Sequence, residues 1–89
     1  MRRKKAFALV YYKIIEKNKL SLNGYVLNNI KLEDKIYVKF KLKKYQYVIK
    51  QITAYKTNFE NIEKGMSAEL IVEGTPVGFN LNTVFLFST

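Results

Sequence analysis

The sequence predicts an all-β fold, a small antiparallel β-barrel of six to seven strands. Three observations lead there. Ile36 to Lys43 reads IYVKFKLK, with Ile36, Val38, Phe40 and Leu42 on one parity and Tyr37, Lys39, Lys41 and Lys43 on the other. A period of two without exception is the pattern of a half-buried strand. Turn signals then punctuate the chain at intervals of about 8–12 residues. The single helical candidate, Asn58 to Met66, is short and stops at Gly65. A small chain with this many strands must close its sheet to hide the edges.

Met1 to Lys5 is a basic, flexible tail, and residues 6–89 form one barrel domain. Ala6 to Ile15 is a strand rich in aromatic and β-branched residues. Its alternation is imperfect, with Phe7, Leu9 and Tyr11 set against Ala8, Val10, Tyr12 and Ile14. A polar connection, Glu16 to Lys19, leads to a second strand, Leu20 to Leu27. Leu20 and Leu22 point inward there, with Tyr25 and Leu27 as the next inward candidates. Gly24 interrupts the alternation and marks a bulge or tight bend.

Asn28-Asn29 is a turn, because Asn tolerates the left-handed region. Ile30 to Leu32 is a short extended piece, and Glu33-Asp34-Lys35 leads into the IYVKFKLK strand, which ends at Lys43-Lys44. The next strand runs from Tyr45 to Ile52 and on toward Tyr55. Glu63-Lys64-Gly65 is a turn. In Met66 to Val72, Ala68, Leu70 and Val72 face inward. Glu73-Gly74-Thr75-Pro76 is a break, and Phe79 to Phe87 is the last strand, with Phe79, Phe85 and Phe87 in the core.

The chain has 89 residues, a mass of 10.5 kDa and 48% hydrophobic residues. A fold of this mass exposes about 5,400 Å² against roughly 15,000 Å² unfolded, which suits one modest core without a deep cleft. The basic start resembles the head of a signal peptide, but Lys13 interrupts the apolar part and no small-residue cleavage site follows. No apolar run approaches the length of a membrane span, so no membrane partner is expected. There is no Cys, which fits a reducing compartment, and the expected location is cytoplasmic.

Net charge is +9 and unevenly distributed. Residues 1–50 hold 14 Lys+Arg and 3 Asp+Glu, whereas residues 51–89 hold 2 and 4. A basic surface facing an anionic partner produces such asymmetry. An AT-rich genome, which favours Lys, Asn, Ile and Tyr codons, produces the same composition without selection for binding. Both readings stand at this level.

Catalysis has little material. With no His and no Cys, the common general bases, thiol nucleophiles and zinc sites are excluded. The close carboxylate pairs, Glu33-Asp34 and Glu60 with Glu63, lie in polar connections. No enzymatic activity, cofactor, nucleotide or metal is expected. Binding has more material. Tyr37, Lys39, Lys41 and Lys43 share a strand face, Lys44 and Tyr45 extend it, and Tyr47 rejoins it. Lysines neutralise phosphates, and tyrosine rings stack on unpaired bases. RNA is favoured over duplex DNA because no recognition helix is evident. Lysines on the wet face of a strand also blunt edge-to-edge aggregation, so the same residues fit a merely solubilising role.

The stretches GYVLNNIKLEDKIYV, YVIKQITAY and NFENIEKGMSAELIVEG come in an order that resembles the second domain of translational GTPases such as elongation factor Tu. The matching positions are Gly24 to Val26, Ile30-Lys31, Asp34 to Ile36, Ile49, Ile52, Ile62, Gly65, Ala68, Leu70 and Val72. The likeness spans residues 20–75. Glu33 stands where the family has glycine, Asn29 replaces a turn glycine, and the family's closing motif is absent. The resemblance implies a β-barrel that contacts the acceptor end of tRNA or ribosomal RNA. The chain carries no G-x-x-x-x-G-K-[ST] loop, so it would be such a barrel without its nucleotide switch. The expected function is therefore a non-catalytic barrel binding RNA or ribosomal surface. The alternative is a protein-interaction or structural module.

Overall fold

A computed structural model describes residues 4–88. The tail expected at 1–5 falls mostly outside these residues. Lys5 opens the first strand, and the Lys4 carbonyl accepts a hydrogen bond from the Phe87 N–H. The elements are β1 (Lys5–Glu16), β2 (Lys19–Val26), β3 (Ile30–Lys31), β4 (Lys35–Phe40), β5 (Lys43–Ala54), β6 (Thr57–Phe59), β7 (Asn61–Ile62), β8 (Ser67–Glu73) and β9 (Val84–Phe87). The described residues contain no helix, and the candidate at Asn58 to Met66 is strand and turn.

The main sheet runs β4-β9-β1-β2-β8-β5, and β5 pairs back onto β4, so six antiparallel strands close a barrel. β6 adds a seventh strand to the far end of β5, while β3 and β7 form a separate two-stranded ladder. The inner rows form the core. Fully buried positions include Phe7, Leu9, Leu20, Leu22, Ile36, Ile49, Ile52, Leu70, Val72 and Phe85. The inward sets read from the sequence for β8 and for Ile36 and Val38 of β4 are the observed ones.

Two 12-residue strands, β1 and β5, bend so that the barrel can close. Each carries a bulge that resets its parity. In β1, Leu9 faces Gly24 and Tyr11 faces Asn23, so Val10 is the extra residue. In β5, Ile49 faces Val72 and Gln51 faces Ile71, so Lys50 is the extra residue. A bulge increases local twist and turns the strand. The broken alternation of β1 is thereby explained: Phe7 and Leu9 point inward before the bulge, and Tyr12 turns toward the core after it. Gly24 itself keeps regular parity. It is the bare position against which β1 packs, since a Cβ there would lie 1.9 Å from the Ala8 carbonyl oxygen. Tyr25, expected inward, is 54% exposed, because Leu22, Gly24 and Val26 make up the inner row.

The last strand is shorter than expected. Residues 74–83 form a loop across one barrel mouth, and regular pairing begins at Val84. Phe79 nonetheless inserts into the core. Its ring meets Tyr12, Tyr47 and Phe85 at centroid distances of 5.2, 5.9 and 5.3 Å, all edge to face. Such pairs add about 0.5–1.5 kcal/mol each beyond area burial. Asn82, at φ 71°, donates its N–H to the Leu9 carbonyl and anchors the loop's far end.

Candidate nucleic-acid interface

The IYVKFKLK stretch is not one strand. It holds the turn of a hairpin. β4 stops at Phe40, and Lys41 and Leu42, at φ 52° and 67°, form a two-residue connection to β5. Positive φ at both central residues belongs to the type I′ turn, whose twist matches that of paired strands. The residues usually found there are Asn and Gly, so Lys-Leu gave no signal, and its polarity happened to continue the alternation. Leu42, expected inward, is fully exposed at the tip.

The turn re-sorts the basic face. Phe40 pairs with Lys43, Lys39 with Lys44, Val38 with Tyr45, Tyr37 with Gln46 and Ile36 with Tyr47. Directly opposed residues share a face. Tyr37, Lys39 and Lys44 therefore lie on the outer face, Lys41 sits at the tip, and Lys43 lies with Phe40 and Tyr45 on the other face. Lys35, exposed and one alternation step before Tyr37, belongs to the outer row as well. Extending the period backward by two residues would have found it.

The tyrosines are not the stacking platforms expected. Tyr47 is fully buried on the inner row, between Phe79 and Phe85. Burial, with a smaller contribution from Tyr45 nearby, pushes its hydroxyl pKa far above the ordinary value. Tyr37 is on the outer face but only 4% exposed. Leu86 of β9 pairs beside it, and the Lys44 ammonium lies 4.4 Å above its ring centroid. Tyr45 is half-buried against the core.

The lysines are available. Lys39, Lys41, Lys43 and Lys44 are all exposed, and none has a carboxylate partner among the described residues. The ion pair in that set is Lys50 with Glu33, at 3.1 Å. Lys39 and Lys44 are directly opposed like charges, an arrangement that costs stability in a sheet. Among the described residues, the hairpin end also has no third strand. β9 reaches β4 only at Ile36 and Tyr37, and β8 joins β5 only from Val48. From Val38 to Tyr45 a two-stranded ribbon therefore presents four ammonium groups around an exposed leucine.

The carboxylates form no comparable site. Glu33 binds Lys50, and Asp34 accepts the Lys31 N–H at 2.9 Å to close its own turn. No group of three or more His, Cys, Asp or Glu that could hold a metal occurs among the described residues. No helix of the described residues is long and apolar enough to cross a membrane.

No protein-family model matches the chain, and no curated protein matches it.

Proposed function

We propose that this chain is a non-catalytic RNA-binding barrel that uses the β4–β5 hairpin against RNA or an RNA-built ribosomal surface in the cytoplasm. The observation that supports it is the clustering of Lys39, Lys41, Lys43 and Lys44, unpaired by carboxylates, on one two-stranded ribbon. Opposed lysines gain most when an anion lies between them, and a phosphate backbone supplies one every few ångströms. With Tyr37 and Tyr47 buried, recognition runs through phosphates and shape, with little base stacking. The likeness of residues 20–75 to the second domain of translational GTPases supports the same role, carried out without a nucleotide domain.

Salt dependence tests this. Contact with about four phosphates gives a log–log slope near −3.6, so raising salt from 50 to 200 mM weakens binding about 100-fold. Changing Lys39, Lys41, Lys43 and Lys44 together to Gln abolishes most of the affinity and leaves the fold intact. Absence of RNA binding by the parent chain at 50 mM salt overturns the proposal. A second reading, a protein-interaction module, draws on the exposed apolar residues Val10, Tyr11, Ile14 and Ile15 along β1. That contact would be far less sensitive to salt.

A further inference from the structure

We propose a second binding site, for a neutral oligosaccharide, in the groove that crosses the outer face of β2, β8 and β5. The groove is a shallow, open depression of about 440 Å³, lined by residues that include Asn23, Tyr25, Thr53, Tyr55, Ser67 and Glu69. It lies at the opposite end of β5 from the basic hairpin, so it is independent of the RNA reading.

The floor is set by strand register. Asn23 of β2 pairs with Glu69 of β8, and Glu69 pairs with Thr53 of β5. Three hydrogen-bonding side chains thus stand in one row across three strands. At strand spacing the row spans about 10 Å, a length that matches a disaccharide. The row is held in place by neighbouring side chains. Glu69 accepts the Ser21 hydroxyl, Asn23 donates to the Ser21 oxygen at 3.3 Å, and the Thr53 hydroxyl donates to Asn58 at 3.0 Å. The other Glu69 oxygen makes no hydrogen bond to the described residues. Such side chains are already oriented for a ligand.

The walls are aromatic. Tyr25 is 54% exposed and Tyr55 80%, and both line the groove. Tyr55 sits with Lys56 in a two-residue turn at positive φ, a conformation costly for a tyrosine. An exposed aromatic group beside convergent polar side chains is the pattern of a ligand site. The polar inventory selects the ligand. Asn23 can donate and accept, whereas Glu69 and Thr53, whose hydroxyl proton already goes to Asn58, accept. A sugar hydroxyl does both and satisfies each of them, whereas a phosphate has only acceptors to offer Glu69. Lys56 is the one cation among the described lining residues. The apolar C–H face of a sugar ring then lies against tyrosine faces with its hydroxyls on the row.

The test is titration of the ¹⁵N-labelled full chain with maltose, cellobiose and N,N′-diacetylchitobiose. At least one disaccharide is expected to shift amides confined to residues 23–25, 53–56 and 67–69. Tyr55→Ala and Tyr25→Ala, both at exposed positions, each weaken that binding about tenfold. The quadruple Lys→Gln hairpin variant binds the sugar as the parent does. Absence of shifts with all three sugars overturns the proposal. So does movement of the same amides by a single-stranded oligoribonucleotide and not by sugar, which would make the groove part of an RNA surface.

Discussion

The Tyr47 hydroxyl donates a 2.6 Å hydrogen bond to the Thr75 carbonyl oxygen, tying the middle of the barrel to the loop that crosses its mouth. Gly74 fits against the same ring, where a Cβ would come within 2.4 Å of a ring carbon. Tyr47→Phe removes the hydrogen bond but keeps the packing, and should cost about 1 kcal/mol in urea unfolding at pH 8. The pKa of the buried hydroxyl is raised in the folded state, so above pH about 10 the unfolded chain loses this proton first. Stability from Tyr47 is therefore complete below that pH and falls by about 1.4 kcal/mol per pH unit above it. The parent's advantage over Tyr47→Phe should vanish near pH 11. A constant difference between pH 8 and 11 would refute the assignment.

Gly24→Ala places a methyl group 1.9 Å from a backbone oxygen of β1 and near the Phe7 ring. Backbone atoms have little room to yield, so a loss of about 3 kcal/mol is expected. Loss of less than about 1 kcal/mol by chemical denaturation would show that β1 relaxes away from β2 at the bulge.

Leu42→Gly should stabilise the chain. Leaving the left-handed region to glycine recovers about 1–2 kcal/mol, and the added freedom of the unfolded glycine returns about 0.5–1 kcal/mol. The net gain is about 0–1.5 kcal/mol, centred on about 0.75 kcal/mol, by thermal or urea unfolding. RNA affinity should change little, because the four lysines remain.

Phe79→Ala and Leu81→Ser separate core from loop within one short segment. Phe79 is 7% exposed and touches three aromatic rings, so its truncation should cost about 3–5 kcal/mol. Leu81 is 63% exposed, and its change to Ser should stay within about 0.5 kcal/mol. Similar costs for the two would mean that the loop does not plug the barrel as described.

What was legible in the sequence, and what was not, follows from how alternation works. Period two tells which residues share a face only while the strand stays regular. β8 is regular, and Ala68, Leu70 and Val72 face inward as alternation predicts. Val10 and Lys50 are bulges, and nothing in either side chain announces one. The Lys41-Leu42 turn was hidden for a different reason: it lacks Asn and Gly, and its polarity mimics a continuing strand. That one turn misplaced Lys43 and Leu42. The exposure of the hairpin lysines was readable, because a lysine has no reason to be elsewhere. The burial of Tyr37 was not, since its face is set by parity but its cover comes from β9, far along the chain.

The barrel is closed by its shortest member. β9 pairs with β4 through Ile36–Phe87 and Tyr37–Leu86, and with β1 through three further pairs, whereas β1 and β2 share eight. β9 also follows every other strand in the chain. During synthesis the rest of the sheet must wait with two open rims, one on β1 and one on β4, until residues 84–87 arrive. Exchange of the β9 amides with deuterium should accordingly be faster than that of β2, and the first opening of the folded molecule should be an unlatching there. The basic ribbon begins one residue beyond that latch, so an unlatched β9 leaves β4 held to the sheet by β5 alone.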